Sequence, residues 1–212
     1  MTAHGLALAL AYTGATLGVL MVVPQILRTL THPTLGGVSA VAWSLTALGC
    51  SMWLVYGIRT LTVPQIPGNI LLVSGAVAVV LLVPSAASRR RRAANLGAVW
   101  VALLTVAFLV PAHMVGYLAV VIGFVSAWPQ VYDSVLTLRS GARSGVSITT
   151  WSIKSVSQLC WLSYALLASD VPVGLSATVA LGTALTLVSV ESLAIMAERS
   201  GSSYRQTGTV QV

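Results

Sequence analysis

The chain of 212 residues is 57% apolar and only 7% charged, where soluble domains carry roughly a quarter of their residues as charges, so water is not the solvent for most of its surface. Its acids are Asp133, Asp170, Glu191 and Glu198, its single lysine is Lys154, and arginines supply the rest of a net charge of +7. Those arginines stand singly or in one short run between apolar stretches, which argues for loops beside an anionic membrane surface and against nucleic acid as a partner.

A membrane helix needs about 20 mostly apolar residues. That criterion places seven spans, near 5–30, 39–58, 66–84, 94–110, 113–138, 147–168 and 171–196. The first lacks the cationic lead-in of a cleavable signal and is read as a retained span. Within it Pro24 removes a backbone donor and frees the carbonyl of Leu20, making a hinge, and Gln25 can hydrogen-bond a carbonyl that lipid would leave unpaired. The second span carries Trp43, Cys50, Trp53 and Tyr56. The third opens on Asn69, whose amide must face protein or a wet cavity, since lipid offers it no partner.

The run Arg89 to Arg92 reads as a topology anchor ahead of a short fourth span. In the fifth span Pro129-Gln130 repeats the proline device and frees the carbonyl of Val125, with Asp133 one turn on. Asp133 aligns with Arg28 of the first span, and the two are read either as an inner-gate pair or as solvated charges at loop ends. The sixth span holds Lys154, Gln158, Trp161 and Tyr164, and the seventh Ser176, Ala177 and Glu191. From residue 198 the tail has no apolar face and is expected to be disordered. Cys50 and Cys160 lie within apolar segments and suggest no disulfide, and His4, His32 and His113 show no ligand spacing, so neither metal nor cofactor is expected.

Positive charge is enriched in cytoplasmic loops. Arg28, Arg89 to Arg92, Arg139, Arg143, Arg199 and Arg205 fall on one side and Arg59 alone on the other, which puts the N-terminus outside and the C-terminus in the cytoplasm.

The chain also repeats itself. Residues 37–64 align without gaps to 145–172, matching at ten of 28 positions that include Trp43, Trp53 and Tyr56 with Trp151, Trp161 and Tyr164. Upstream, Pro24-Gln25 aligns with Pro129-Gln130. The repeats are two three-helix units with the fourth span left over. A single odd helix makes the second unit start on the same side as the first, so the units run parallel about an axis along the membrane normal, with a cavity between them. The fold class is thus an all-α membrane protein of seven transmembrane helices in a 3+1+3 order. It divides into a first repeat (1–88), a basic loop and linker helix (89–110), a second repeat (111–197) and a cytoplasmic tail (198–212).

On these residues nearly the whole chain resembles the PQ-loop transporters, and within them the SWEET and SemiSWEET sugar carriers. The resemblance implies alternating-access transport of a small solute. It implies that Trp53 and Asn69 line the solute pocket and that Tyr56 is an extracellular gate residue. Asn69 has Ala177 as its counterpart, flanked by Ser176 and Thr178, so this chain departs from one asparagine per unit. The Pro64-Gln65 pair entering the third span reads as coincidence. Trp43 and Trp151 suit interfacial anchoring, while Trp53 and Trp161 lie deeper and can hold a flat solute face between two rings.

Lys154 is the strongest anomaly, because a charge at mid-span costs about 2.5–3.5 kcal/mol even on permissive insertion scales. At 100° per residue it shares a face with Gln158 and Trp161. It can snorkel to the inner surface, pair with Glu191, or bind an acidic group of the solute. Asn69 with Trp53 argues for a sugar-like ligand, and Lys154 for an amino acid or carboxylate. A receptor or sorting protein of similar architecture, binding its ligand without net flux, is the alternative. An enzyme lacks support, since the sequence has no paired acids, HExxH, Ser-His or Cys-His arrangement or phosphate loop. The expected setting is a multi-pass protein of a plasma membrane, the bacterial inner membrane in particular, whose partners are a small-molecule substrate and the bilayer. One chain holds both units and can enclose a pathway alone; assembly into a homo-oligomer stays open.

Overall fold

The computed structural model describes the backbone of residues 2–31, 40–82, 89–140 and 148–207. Within those ranges it describes the side chains except at 24–26, 28–31, 40, 89, 92, 129–130, 133–134, 137–140, 194 and 197–207. Among the described residues there are seven helices and no strand: α1 (Ala3–Thr31), α2 (Ala40–Thr60), α3 (Gln65–Leu82), α4 (Arg89–Leu109), α5 (Ala112–Ser140), α6 (Ile148–Ala168) and α7 (Val171–Thr207).

Four of them contain a stretch long and apolar enough to cross a bilayer, namely Ala3–Val23, Val41–Thr60, Gln65–Leu82 and Val171–Leu193. Ala93–Leu109 and Ala112–Trp128 are apolar over shorter lengths. Serines and threonines within the helices bond back to the carbonyl four residues earlier, as Thr13, Thr46 and Ser51 do to Ala9, Ala42 and Ala47. Polar side chains can thus sit in apolar helices without an unpaired hydroxyl. Each helix also turns large apolar side chains outward, such as Leu20, Val41, Ile70, Val101, Val121, Leu159 and Leu185. Apolar surface on every helix suits lipid and not water. The interior, by contrast, is rich in alanine, with Ala11, Ala47, Ala76, Ala107, Ala119 and Ala184 fully buried, which lets the helices approach closely.

Helix contacts define a ring. Helix α3 touches both α1 and α2, which do not touch each other among the described residues, and α7 stands in the same relation to α5 and α6. The ring closes where α1 meets α6 and α2 meets α5, while α4 lies outside it against α2, α3 and α5. Arg59, at the end of α2, secures α4 by donating to the carbonyls of Ala107 and Val110 in its last turn, where backbone acceptors lack helical partners.

Two boundaries differ from the sequence expectation. Helix α4 begins at Arg89, so the arginine run forms its first turns and is not a loop. Helix α7 continues to Thr207, into the tail expected to be disordered from residue 198, because each residue added to an existing helix gains a hydrogen bond without a new nucleus. The side chains of Pro24, Gln25, Arg28, Pro129, Gln130 and Asp133 lie outside the described residues, so neither hinge and neither charge of the expected inner pair has a described geometry.

Candidate solute cavity

The two connections that end α2 and α6 are built alike. Leu61 and Ser169, at equivalent places, take left-handed backbone with φ of 57° and 55°. The next residue in each case bonds back to close the helix: Thr62 N–H donates to Gly57 O at 2.8 Å, and Asp170 N–H to Ala165 O at 2.9 Å. One turn earlier the Trp-x-x-Tyr pairs also match, Trp53 and Tyr56 meeting edge to face at 5.6 Å, Trp161 and Tyr164 at 5.7 Å. The sequence repeat is therefore a repeat of side-chain geometry.

These tyrosines reach across to the opposite connection. Tyr56 O–H donates to Asp170 Oδ1 at 2.7 Å, and Tyr164 approaches Thr62, the residue equivalent to Asp170. Asp170 Oδ1 also accepts from Val173 N–H at 3.2 Å, so the carboxylate caps the start of α7 while it holds Tyr56. Both tyrosines are buried, and together they cover the end of the ring where α2 joins α3 and α6 joins α7. Asp170 went unremarked in the sequence; its alignment with Thr62, just before the shared Val-Pro, was the available signal.

Trp53 and Trp161 line a cavity of about 310 Å³. All seven side chains expected to meet a solute line it: Trp53, Asn69, Lys154, Gln158, Trp161, Ser176 and Ala177. Many of its wall residues form pairs under the 108-residue shift that carries Trp53 onto Trp161, among them Cys50 with Gln158, Gln65 with Val173, and Gly68 with Ser176. The cavity is nevertheless lopsided. Helix α1 contributes Gly14, Ala15 and Gly18 to its wall, whereas α5 contributes none among the described residues.

Small residues on α1 explain the close approach of α6. A Cβ at Gly14 would stand 3.0 Å from the indole Cδ1 and Nε1 of Trp161 and 3.2 Å from Ser157 O. Ser157 Oγ donates to Gly14 O at 2.8 Å, a buried bond between helices, where its neighbour Ser155 bonds within its own helix. Glycine at 14 thus seats the Trp161 ring at the edge of the cavity.

The polar groups are distributed diagonally. Asn69 Nδ2 donates one N–H to Gln65 O at 2.7 Å, which leaves its second N–H and its Oδ1 for other partners. Gln65, dismissed in the sequence together with Pro64, is buried with Oε1 unpartnered, and it lines the cavity. On the opposite flank of α1, α6 presents Lys154 and Gln158.

Two expectations need correction. Lys154 forms no ion pair with Glu191 among the described residues; its Nζ lies over the Trp151 ring, 4.3 Å from the centroid, and Glu191 is buried with Oε1 unpartnered. A helical wheel fixes the face of a residue on one helix, not the rotation of its neighbour, and α7 turns Glu191 elsewhere. Trp151 is no interfacial anchor, being buried against Ala184 and Leu187. Among the described residues both cysteines are free and no metal-binding cluster occurs.

No protein-family model matches the chain, and no curated protein does. Its fold is that of a solved structure of a eukaryotic SWEET transporter, with a TM-score of 0.73 over 90% of this chain and 99% of that one, at 14% sequence identity. The fold is thus SWEET-like, and four of the seven helices among the described residues are long and apolar enough to cross a membrane.

Proposed function

We propose that the chain is a membrane carrier that moves a small polar metabolite by alternating access through the cavity between its two three-helix repeats. The observation that carries this reading is the convergence of Trp53 and Trp161, equivalent residues of the two repeats, on one cavity that also holds Asn69, Lys154, Gln158 and Ser176. A polar pocket inside an apolar bundle is costly unless a ligand or water uses it. The likeness to a SWEET transporter supports the same reading.

In this proposal all seven helices span the bilayer in a 3+1+3 arrangement, with the N-terminus outside and the C-terminus in the cytoplasm of a bacterial cell. The repeats are parallel and of the PQ-loop kind. Tyr56 with Asp170, and Tyr164 with Thr62, form the outer gate, a reading that the hydrogen bond from Tyr56 to Asp170 supports. Pro24 and Pro129 are the hinges about which the units rock, and Gln25 and Gln130 serve the freed carbonyls. One chain suffices for one pathway.

Counterflow tests it. Liposomes containing the protein and loaded with one unlabelled solute are challenged with labelled sugars, amino acids and carboxylates. At least one solute is expected to exchange, and Trp161→Ala is expected to abolish that exchange. Saturable binding with no exchange of any solute would refute the carrier and favour a receptor.

A further inference from the structure

The cavity is not neutral. Lys154 brings one ammonium to its wall, and no acidic side chain lines it among the described residues. Among the described residues no acid neutralises Lys154: Glu191 does not pair with it, and its Nζ rests on the Trp151 ring. A ring face attracts an ammonium without cancelling its charge, so the cation remains in want of an anion. Gln158 lies one turn further along α6 on the same face, and Trp161 about 10 Å along the axis from Lys154 at 1.5 Å per residue.

The opposite flank asks for something different. Asn69 gives one N–H to Gln65 O and keeps its second N–H and its Oδ1 for hydroxyls of a solute, while Gln65 Oε1 is buried against Gly57. Gln65 and Asn69 sit in the first turns of α3, at the α2–α3 end of the bundle, whereas Lys154 sits near the start of α6, which begins at the other end. Between the two ends stand the Trp53 and Trp161 indoles, suited to covering C–H faces.

Resting on the carrier reading, we infer that the solute is a hydroxylated monocarboxylate of the sugar-acid class, held with its carboxylate at Lys154 and its distal hydroxyls at Asn69. A neutral sugar satisfies the Asn69 amide and leaves the ammonium unpaired. An amino acid brings a second cation into a wall without a described acid. A hydroxy acid answers both flanks and cancels the charge. The cavity volume of about 310 Å³ falls at the lower edge of small-molecule pockets, which suits a metabolite of this size.

The test uses the full chain in proteoliposomes, with D-gluconate, D-glucose and L-serine as labelled solutes. Gluconate is expected to exchange fastest. Lys154→Gln is expected to slow gluconate exchange about tenfold or more, the loss of one charge-assisted hydrogen bond, and Lys154→Arg to restore a measurable part of it. Asn69→Leu is expected to raise KM for gluconate more than for propionate, which has no distal hydroxyls, a split that mere misfolding would not produce. Glucose or serine exchange that is indifferent to Lys154→Gln, with gluconate inert, overturns the inference and leaves the carrier reading standing. If none of the three exchanges, gluconate binding followed by tryptophan emission decides: binding lost in Lys154→Gln retains the ligand class and removes the carrier, and no binding removes both.

Discussion

Replacing Gly14 by alanine probes the seam that shapes the cavity. The added methyl would lie 3.0 Å from two atoms of the Trp161 indole and 3.2 Å from the backbone oxygen of Ser157, against about 3.5–4.0 Å for an ordinary contact, so something must yield by about half an ångström. The indole cannot retreat alone, because part of the obstacle is the α6 backbone, held to Gly14 by the Ser157 hydroxyl. Overpacking of this kind costs about 1–3 kcal/mol. Alanine in place of helical glycine returns about 1 kcal/mol. The proper reference is Gly97→Ala, where nothing stands within 4 Å of the new Cβ and the helix preference alone acts. The preference cancels between the two, so Gly14→Ala is expected to be less stable than Gly97→Ala by about 1–3 kcal/mol. At about 2–4 °C per kcal/mol for a chain of this size, thermal unfolding in detergent resolves the gap. The displaced indole also shifts tryptophan emission and slows solute exchange. A Gly14→Ala protein that melts no lower than Gly97→Ala, with emission unchanged, would show that Trp161 does not rest on α1.

Two further substitutions address the ends of the bundle. Tyr56→Phe removes the 2.7 Å bond to Asp170 Oδ1, about 1.5–3 kcal/mol for a charged acceptor, and is expected to populate states open at that end. In a background without Cys50 and Cys160, Asn69→Cys should then react about tenfold faster with an impermeant thiol reagent applied from that side; an unchanged rate removes the tyrosine from the gate. Arg59→Gln strips the carbonyls of Ala107 and Val110 of their guanidinium donor and is expected to lower stability by about 1–3 kcal/mol, whereas Arg90→Gln, at an exposed position, leaves the melting temperature unchanged. Equal melting of the two variants would remove Arg59 from the anchoring of α4.

Helix positions were legible because apolar length marks a buried or lipid-embedded segment, and the seven helices fall within a few residues of the expected spans apart from the start of α4 and the end of α7. The cavity wall on α2, α3, α6 and α7 was legible because the repeat supplies a register, and one known facing residue then fixes its neighbours at three and four residues' spacing. The α1 wall was not, since Gly14, Ala15 and Gly18 have no side-chain chemistry to signal a role, and only the packing of Trp161 reveals it. Gln65 was hidden by its company: beside Pro64 it read as a chance copy of the proline-glutamine pair, and no pattern in sequence reports that its amide oxygen is buried unpartnered.

The relation between the repeats separates what builds the fold from what gives it selectivity. Positions that match, such as Trp53 with Trp161, Tyr56 with Tyr164 and Pro64 with Pro172, keep the same ring contacts and the same turn geometry in both halves. Positions that line the cavity and differ carry nearly all its polarity: Gln65 against Val173, Asn69 against Ala177, Gln158 against Cys50, and Lys154 against Thr46. A symmetric pocket would present the same groups twice and suit a ligand with two like ends. Here the Asn69 amide lies on α3 and the cation on α6, on either side of a glycine-bearing α1, while α2 and α7 offer apolar or small surface. An asymmetric wall of this kind is suited to an asymmetric solute held in one orientation, which is the selectivity that the proposed carrier would need in order to prefer a molecule with one charged end.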